Sequence, residues 1–260
     1  MTNGPSIGPD EQPMALTLDA DLPATGLPLA LADRHRTLAP GQRVTVELPG
    51  ALAGLASDHL RRICIGAGFT FDDQPGEPDP GPPGRIPLVR AHTLADTVGT
   101  NMRLLVCGLN PSPASAETGV GFARPGNRFW PAALAAGIVT RDRDPRHALT
   151  ANGVGMTDLV KRTTRTAAEL SREEYRSGLD RIERLIEWLQ PTVVCFVGLA
   201  GWRAAVDRQA VAGAQPGGLA GRPVHLMPST SGLNAHSTRE DLTDHLRQAA
   251  ELGKCPIRLA

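Results

Sequence analysis

Aromatic residues make up only 3% of this 260-residue chain, so each Trp, Phe and Tyr stands out. The four cysteines, Cys64, Cys107, Cys195 and Cys255, lie far apart, with no CxxC and no Cys/His ligand spacing. Their placement argues against a structural zinc, an iron–sulfur cluster or a disulfide framework, and fits a reduced compartment. Net charge is absent too, with 27 Lys plus Arg against 27 Asp plus Glu. Such a balance gives no support to bulk electrostatic attraction for nucleic acid, although a local basic face remains open. No apolar stretch approaches membrane-spanning length, and the first residues, MTNGPSIGPDEQP, carry neither a basic n-region nor an apolar h-region. A Gly-x-Ser-x-Gly elbow, the mark of an α/β hydrolase, does not occur. The expectation is a cytoplasmic protein, without metal, cofactor or membrane partner.

What is present falls into four stretches. Residues 1–13 look disordered. Residues 14–71 form a small α/β segment, with a helix near 30–38, a Pro40-Gly41 turn, a strand over 43–48 and a second helix that stops at Gly66-Ala67-Gly68. Residues 72–96 begin DDQPGEPDPGPPGRIP, too rich in Pro, Gly and acid to bury apolar surface, and read as a linker. Residues 97–260 read as alternating strands and helices. Strands are expected at 103–107, 192–197 and 224–227, and helices at 128–137, from Ser171 (with Glu174 completing a capping box) to Leu189, and over 238–252. That alternation predicts an α/β fold with a mostly parallel sheet covered on both faces.

Three segments fall where strands end: 108–130, 155–164 and 227–236. Taken singly, each has an ordinary explanation. Asn110-Pro111 makes a turn, Thr157-Asp158 caps a helix, and Ser229, Thr230 and Ser231 satisfy loop backbone. In this order and spacing, however, Gly108-Leu109-Asn110-Pro111, Pro125-Gly126-Asn127-Arg128-Phe129-Trp130, the run Gly-Met-Thr-Asp-Leu-Val-Lys-Arg-Thr-Thr from Gly155 to Thr164, and Met227-Pro228-Ser229-Thr230-Ser231-Gly232-Leu233-Asn234 form a set. The set resembles the mismatch-specific uracil/thymine-DNA glycosylases, the Mug/TDG branch of the uracil-DNA glycosylase superfamily. The resemblance covers residues 97–252 and implies a three-layer uracil-DNA-glycosylase-like fold.

It also implies roles. Such an enzyme extrudes the target nucleotide into a pocket. Leu233, in Ser231-Gly232-Leu233, matches the wedge that fills the vacated stack, and Phe122 the aromatic on which the base stacks. Asn110 would position a water against C1′, since an amide holds water but is no carboxylate base. Backbone N–H groups near Leu109 and the last loop would stabilise the departing base anion. Without a carboxylate, good leaving groups such as uracil are favoured. Asp158 departs from the family, which often has Asn or Lys there. It either meets the base edge, as acceptor when ionised and donor when protonated, or caps a helix. Asn127 either braces its motif or contacts the base. Thr164 and Ser229 serve phosphate or pocket hydrogen bonds, Arg128 and Arg162 phosphates or solvent, and His236 the opposite strand or solvent. Lys161 lies at a helix-like position, so nothing suggests a lyase.

The implied function is a monofunctional glycosylase. It would hydrolyse the N-glycosidic bond of uracil, and of mismatched thymine or a modified pyrimidine, in double-stranded DNA, as a monomer. The alternative is a non-catalytic DNA-binding module of the same fold. The segment 14–71 resembles part of a class I methyltransferase domain but lacks the glycine-rich S-adenosylmethionine loop, and reads as an accessory module.

Overall fold

In the computed structural model, which describes residues 13–71 and 84–254, the chain builds two sheets. The first contains Met14–Thr17 (β1), Arg43–Glu47 (β2), Phe69–Phe71 (β3) and Arg85–Arg90 (β4), in the order β1-β2-β4-β3. Only β1 and β2 are parallel. The sheet packs with Leu27–Thr37 (α1) and Ser57–Gly66 (α2), burying Leu27, Leu31, Val46, Phe69 and Leu88.

The interval 72–96 is therefore not a linker throughout. Residues 72–83, like 1–12, lie outside the described residues. From Arg85 onward the composition changes, and Ile86, Leu88 and Val89 are paired with β2. The strand β4 completes the small sheet between β2 and β3, and a chain break before it would leave both partners without their ladder.

The second sheet holds Leu104–Gly108 (β5), Val154–Asp158 (β6), Val194–Val197 (β7), Gly213–Leu219 (β8) and Arg222–Met227 (β9). Its order is β6-β5-β7-β9-β8, parallel except for the β8–β9 edge pair. Every residue of β5, β6 and β7 is buried: β5 and β7 as central parallel strands covered on both faces, and the edge strand β6 with Thr97 bridged to Met156 on its outer side. Along β5 the side chains alternate. Leu105 and Cys107 join one core with Arg172–Leu189 (α6) and Ala200–Ala205 (α7). Leu104 and Val106 join the other with Phe129–Ala135 (α4), Pro145–Asn152 (α5) and Arg239–Leu252 (α8). The expected mixed α/β architecture, a sheet between helical layers, is the one observed.

The boundary expected at residue 97 falls beside a buried charge. Asp96 is 3% exposed. Its carboxylate accepts hydrogen bonds from Lys161 Nζ at 2.7 Å, Arg181 Nη1 at 2.7 Å and Thr157 Oγ1 at 2.8 Å. Burial would raise its pKa, but the Arg181 and Lys161 charges outweigh burial and hold the carboxyl below its usual range. Its backbone N–H donates to Gly66 O at the end of α2, so one residue ties the N-terminal unit to β6 and α6. Arg146 to Asp33 and Arg62 to Asp180 are further ion pairs across the same junction.

Candidate active site

Parallel strands place their carboxyl ends on one edge, where loops converge and ligands bind. Here β5 ends in Leu109-Asn110, β6 in Asp158 and β9 in the loop 228–237. These loops, with α3 (Pro113–Thr118), enclose a cavity of about 790 Å³, its open mouth included. Asn110, Phe122, Asn127, Asp158, Thr164 and Ser229 all line it, as do Leu109 and Ser231.

The Asn110 amide is fixed by its donors. Nδ2 donates to Arg162 O at 3.0 Å and to Thr164 Oγ1 at 2.8 Å, with a longer contact to Pro111 O at 3.3 Å. Thr164 Oγ1 donates its own proton to Thr166 O at 2.9 Å, so towards Asn110 it can only accept. Flipping the amide would set Oδ1 against the Arg162 carbonyl. The network therefore assigns the orientation, and Oδ1, an acceptor, has no donor among the described residues.

Gly108 pairs with Asp158 across the β5–β6 ladder. A Cβ added at Gly108 would stand 2.3 Å from Asp158 Oδ1 and 3.4 Å from Phe122 Cζ. The missing side chain thus lets the carboxylate and the ring converge over the strand end. Asp158 is 8% exposed, and no donor reaches its carboxylate among the described residues. Burial pushes its pKa up to about 6, and the neighbouring Lys161 and Arg181 charges only partly offset this.

Phe122 is half-buried and lies nearly parallel to Phe129, with centroids 4.1 Å apart and planes 21° apart. Its φ of 59° is left-handed, a conformation that costs a bulky residue about 1–3 kcal/mol and marks a constrained position. One face is thus covered by Phe129, while Trp130 sits in the core and donates Nε1–H to Gly121 O at 2.8 Å.

A family model described as the uracil DNA glycosylase superfamily matches residues 95–251, more than half of the chain. The chain belongs to the uracil DNA glycosylase superfamily. Among solved structures, it is similar to the solution NMR structure of a provisionally named uracil DNA glycosylase from Methanosarcina acetivorans. The two are 21% identical over 62% of this chain and 96% of that one, with a TM-score of 0.44. The superfamily match begins one residue before Asp96, which brings the buried carboxylate inside it.

Thr157, Asp158 and Lys161 do not occupy the helical positions considered for them. Thr157 and Asp158 end β6, and no helix follows for them to cap. Lys161 is in no helix, and its ammonium is committed to Asp96. Asn127 braces its motif, Oδ1 accepting from the Phe129 N–H at 2.9 Å. Ser229 Oγ accepts from the Ser231 N–H and Ser231 Oγ from the Leu233 N–H, both at 3.3 Å, closing turns within the loop. Leu233 is 79% exposed at the loop tip, and His236 is exposed beside it. Gly232 rests on backbone, since a Cβ there would lie 2.8 Å from Gly126 O.

The arginines exchange places. Arg128, expected to meet phosphate or solvent, turns inward and donates to the carbonyls of Ser231 at 3.1 Å, Asn234 at 2.7 Å and Ser237, clamping the exposed loop. Arg162 makes a bidentate pair with Glu174, which pulls that carboxyl's pKa down to about 2. Instead, Arg124 and Arg165 line the cavity exposed, without an acidic partner among the described residues. No signal in the sequence separates these four; only the fold decides which face inward. Among the described residues no helix is long and apolar enough to cross a membrane, and no group of three or more His, Cys, Asp or Glu could hold a metal.

Proposed function

We propose that the protein is a monofunctional DNA glycosylase of the mismatch-specific uracil/thymine type, which extrudes uracil from duplex DNA and hydrolyses its N-glycosidic bond. The observation that carries this reading is the fixed Asn110 amide. With both amide protons committed, Oδ1 accepts one proton of a water and aims that water's lone pair at C1′. The water oxygen bonds to C1′ as the C1′–N1 bond breaks. The base leaves with the bonding electron pair as an anion, and the water's proton passes to solvent or to that base. The N–H groups of Leu109 and Asn110 make no backbone hydrogen bond among the described residues and suit the developing negative charge.

The open face of Phe122 supplies the stacking platform, worth about 1–3 kcal/mol for a base. Asp158 meets the Watson–Crick edge. Ionised, it accepts from uracil N3–H or from an exocyclic amino group; protonated, it donates to a carbonyl. Leu233 is the wedge that occupies the vacated stack, and Gly232, Ser231 and Ser229 set its loop. Arg124 and Arg165 contact flanking phosphates, with His236 facing the opposite strand. Mismatched thymine and modified pyrimidines are further substrates to the extent that they leave as stable anions.

The test is base release from labelled duplexes carrying U:G, U:A and T:G, and from single-stranded U, with abasic sites revealed by alkali. Release from U:G that falls about 100-fold or more in Asn110→Ala, with duplex binding retained, is the expected result. Tight duplex binding without release from any substrate would leave a non-catalytic binding module.

A further inference from the structure

Outside the catalytic cavity, Arg90 is a buried charge without a carboxylate partner among the described residues. It ends β4 and is 7% exposed. Its Nε reaches only His35 O, at 3.5 Å, and Nη1 is buried without an acceptor. No carboxylate pairs with it among the described residues. Buried guanidinium groups are normally paired, because leaving such a charge unpaired costs several kcal/mol. Burial lowers its pKa, yet an arginine stays charged.

Arg90 lines a separate cavity of about 550 Å³, walled by the end of α1, the segment 93–95 and the last turn of α3. Arg36 lines it as well. Arg36 bonds Asp33, but that single carboxylate also holds Arg146. The hydroxyl protons of Thr93 and Thr118 are spent on Lys161 O and Ala114 O. Glu117 is the one acid among the lining residues. His35 senses the resulting field. Its pKa is lowered to about 4, first by burial and then by the charge of Arg90, with Lys161 and Arg36 adding to it. As a neutral ring it donates Nε2–H to Ala91 O at 3.1 Å.

We propose that this cavity is an anion site in which the free fork of Arg90, with Arg36 as second cation, holds a phosphate group. Nη1 is buried without an acceptor and Nη2 makes no hydrogen bond among the described residues, so the guanidinium keeps donors for the oxygens of an anion, the group that arginine binds best. The cavity shares Leu94 with the catalytic one, and α3 stands between them. A phosphate here comes either from the backbone of a strand lying across the catalytic mouth or from free phosphate. The proposal does not rest on the glycosylase reading, since phosphate binding is measured without base release.

Inorganic phosphate is titrated into the full-length chain, followed by thermal unfolding and by the NMR pH titration of His35. Saturable stabilisation is expected, with the His35 pKa rising as an anion offsets Arg90. Arg90→Gln should weaken phosphate binding tenfold or more. Duplex affinity is measured against salt in parallel. If the source is the DNA backbone, the slope of log K against log salt falls by about one in Arg90→Gln; an unchanged slope with phosphate binding lost in that variant assigns the site to free phosphate. No stabilisation and no movement of His35 in the wild type would overturn the proposal, even if Arg90→Gln fails to fold. So would Glu117 proving to be the internal partner, seen as Glu117→Gln destabilising a protein that binds no phosphate.

Discussion

Asp158→Asn should make this protein more stable at neutral pH while changing its choice of base. The wild-type carboxyl is buried without a donor, and its pKa stands near 6 in the fold against an ordinary 3.8. Because the folded pKa is the higher, the folded state binds more protons than the unfolded state between those values. Stability from this group is complete below about pH 4 and is lost as pH rises through 6. The loss at full ionisation is roughly 3 kcal/mol, on 1.36 kcal/mol for each pH unit separating the two values. An isosteric amide does not titrate. Wild type and Asp158→Asn should therefore unfold with nearly the same pH-independent offset at pH 4, and a gap favouring the variant should open by about 2–3 kcal/mol between pH 4 and 7. Urea unfolding followed by Trp fluorescence across that range measures the gap. A difference that stays constant with pH would refute the account, because it would mean that Asp158 ionises in the fold as it does in the open chain. Base release over the same range supplies the functional half. Wild-type preference between uracil and an amino-bearing pyrimidine should shift as pH crosses 6, whereas that of the variant should not.

Three further outcomes follow from other contacts. Asp96→Ala strands Arg181 and Lys161 with unpaired buried charge and should cost about 3–5 kcal/mol in denaturant unfolding, as should a chain begun at residue 97; wild-type stability in either would show that the ion cluster is incidental. Arg128→Ala frees three loop carbonyls and should slow cleavage of duplex substrate about 10- to 100-fold, with a smaller effect on single-stranded uracil, where no stack needs filling. Gly232→Ala brings a methyl against the Gly126 carbonyl and should destabilise by about 1–3 kcal/mol, read as a lowered Tm.

Much of the larger sheet was legible because its central strands are buried on both faces and so appear as unbroken apolar runs, 104–107 and 192–197. The start of α6 was legible to the residue, since Ser171 and Glu174 form the capping box that their spacing predicts. The small sheet was not. Its β1 and β3 are short, and β4 follows a Pro/Gly tract whose composition masks the point where pairing begins. The strand β8, with the sequence GAQPGGL, reads as loop and is a strand only because β9 offers a ladder beside it. At the cavity, Asn110 and Asp158 lie at strand ends that a local pattern records, whereas Phe122 was named by the resemblance alone; the fold brings all three to one cavity. Long-range charge pairing is recorded nowhere in a local pattern, and so Lys161, Arg128 and Arg162 were placed wrongly or left open.

Arg128 joins two parts of the site that lie far apart in the sequence. Its side chain grips the loop carrying Leu233, its backbone N–H donates to Thr230 O, and the next residue, Phe129, is the surface on which Phe122 rests. The floor that would receive a base and the tip that would fill its place are therefore two ends of one lever with a single fulcrum. A lever of this kind ties insertion to capture. Under the proposed function, DNA distorted enough to admit the tip would present its nucleotide to the floor in the same movement, and a helix that resists one end would be rejected by both.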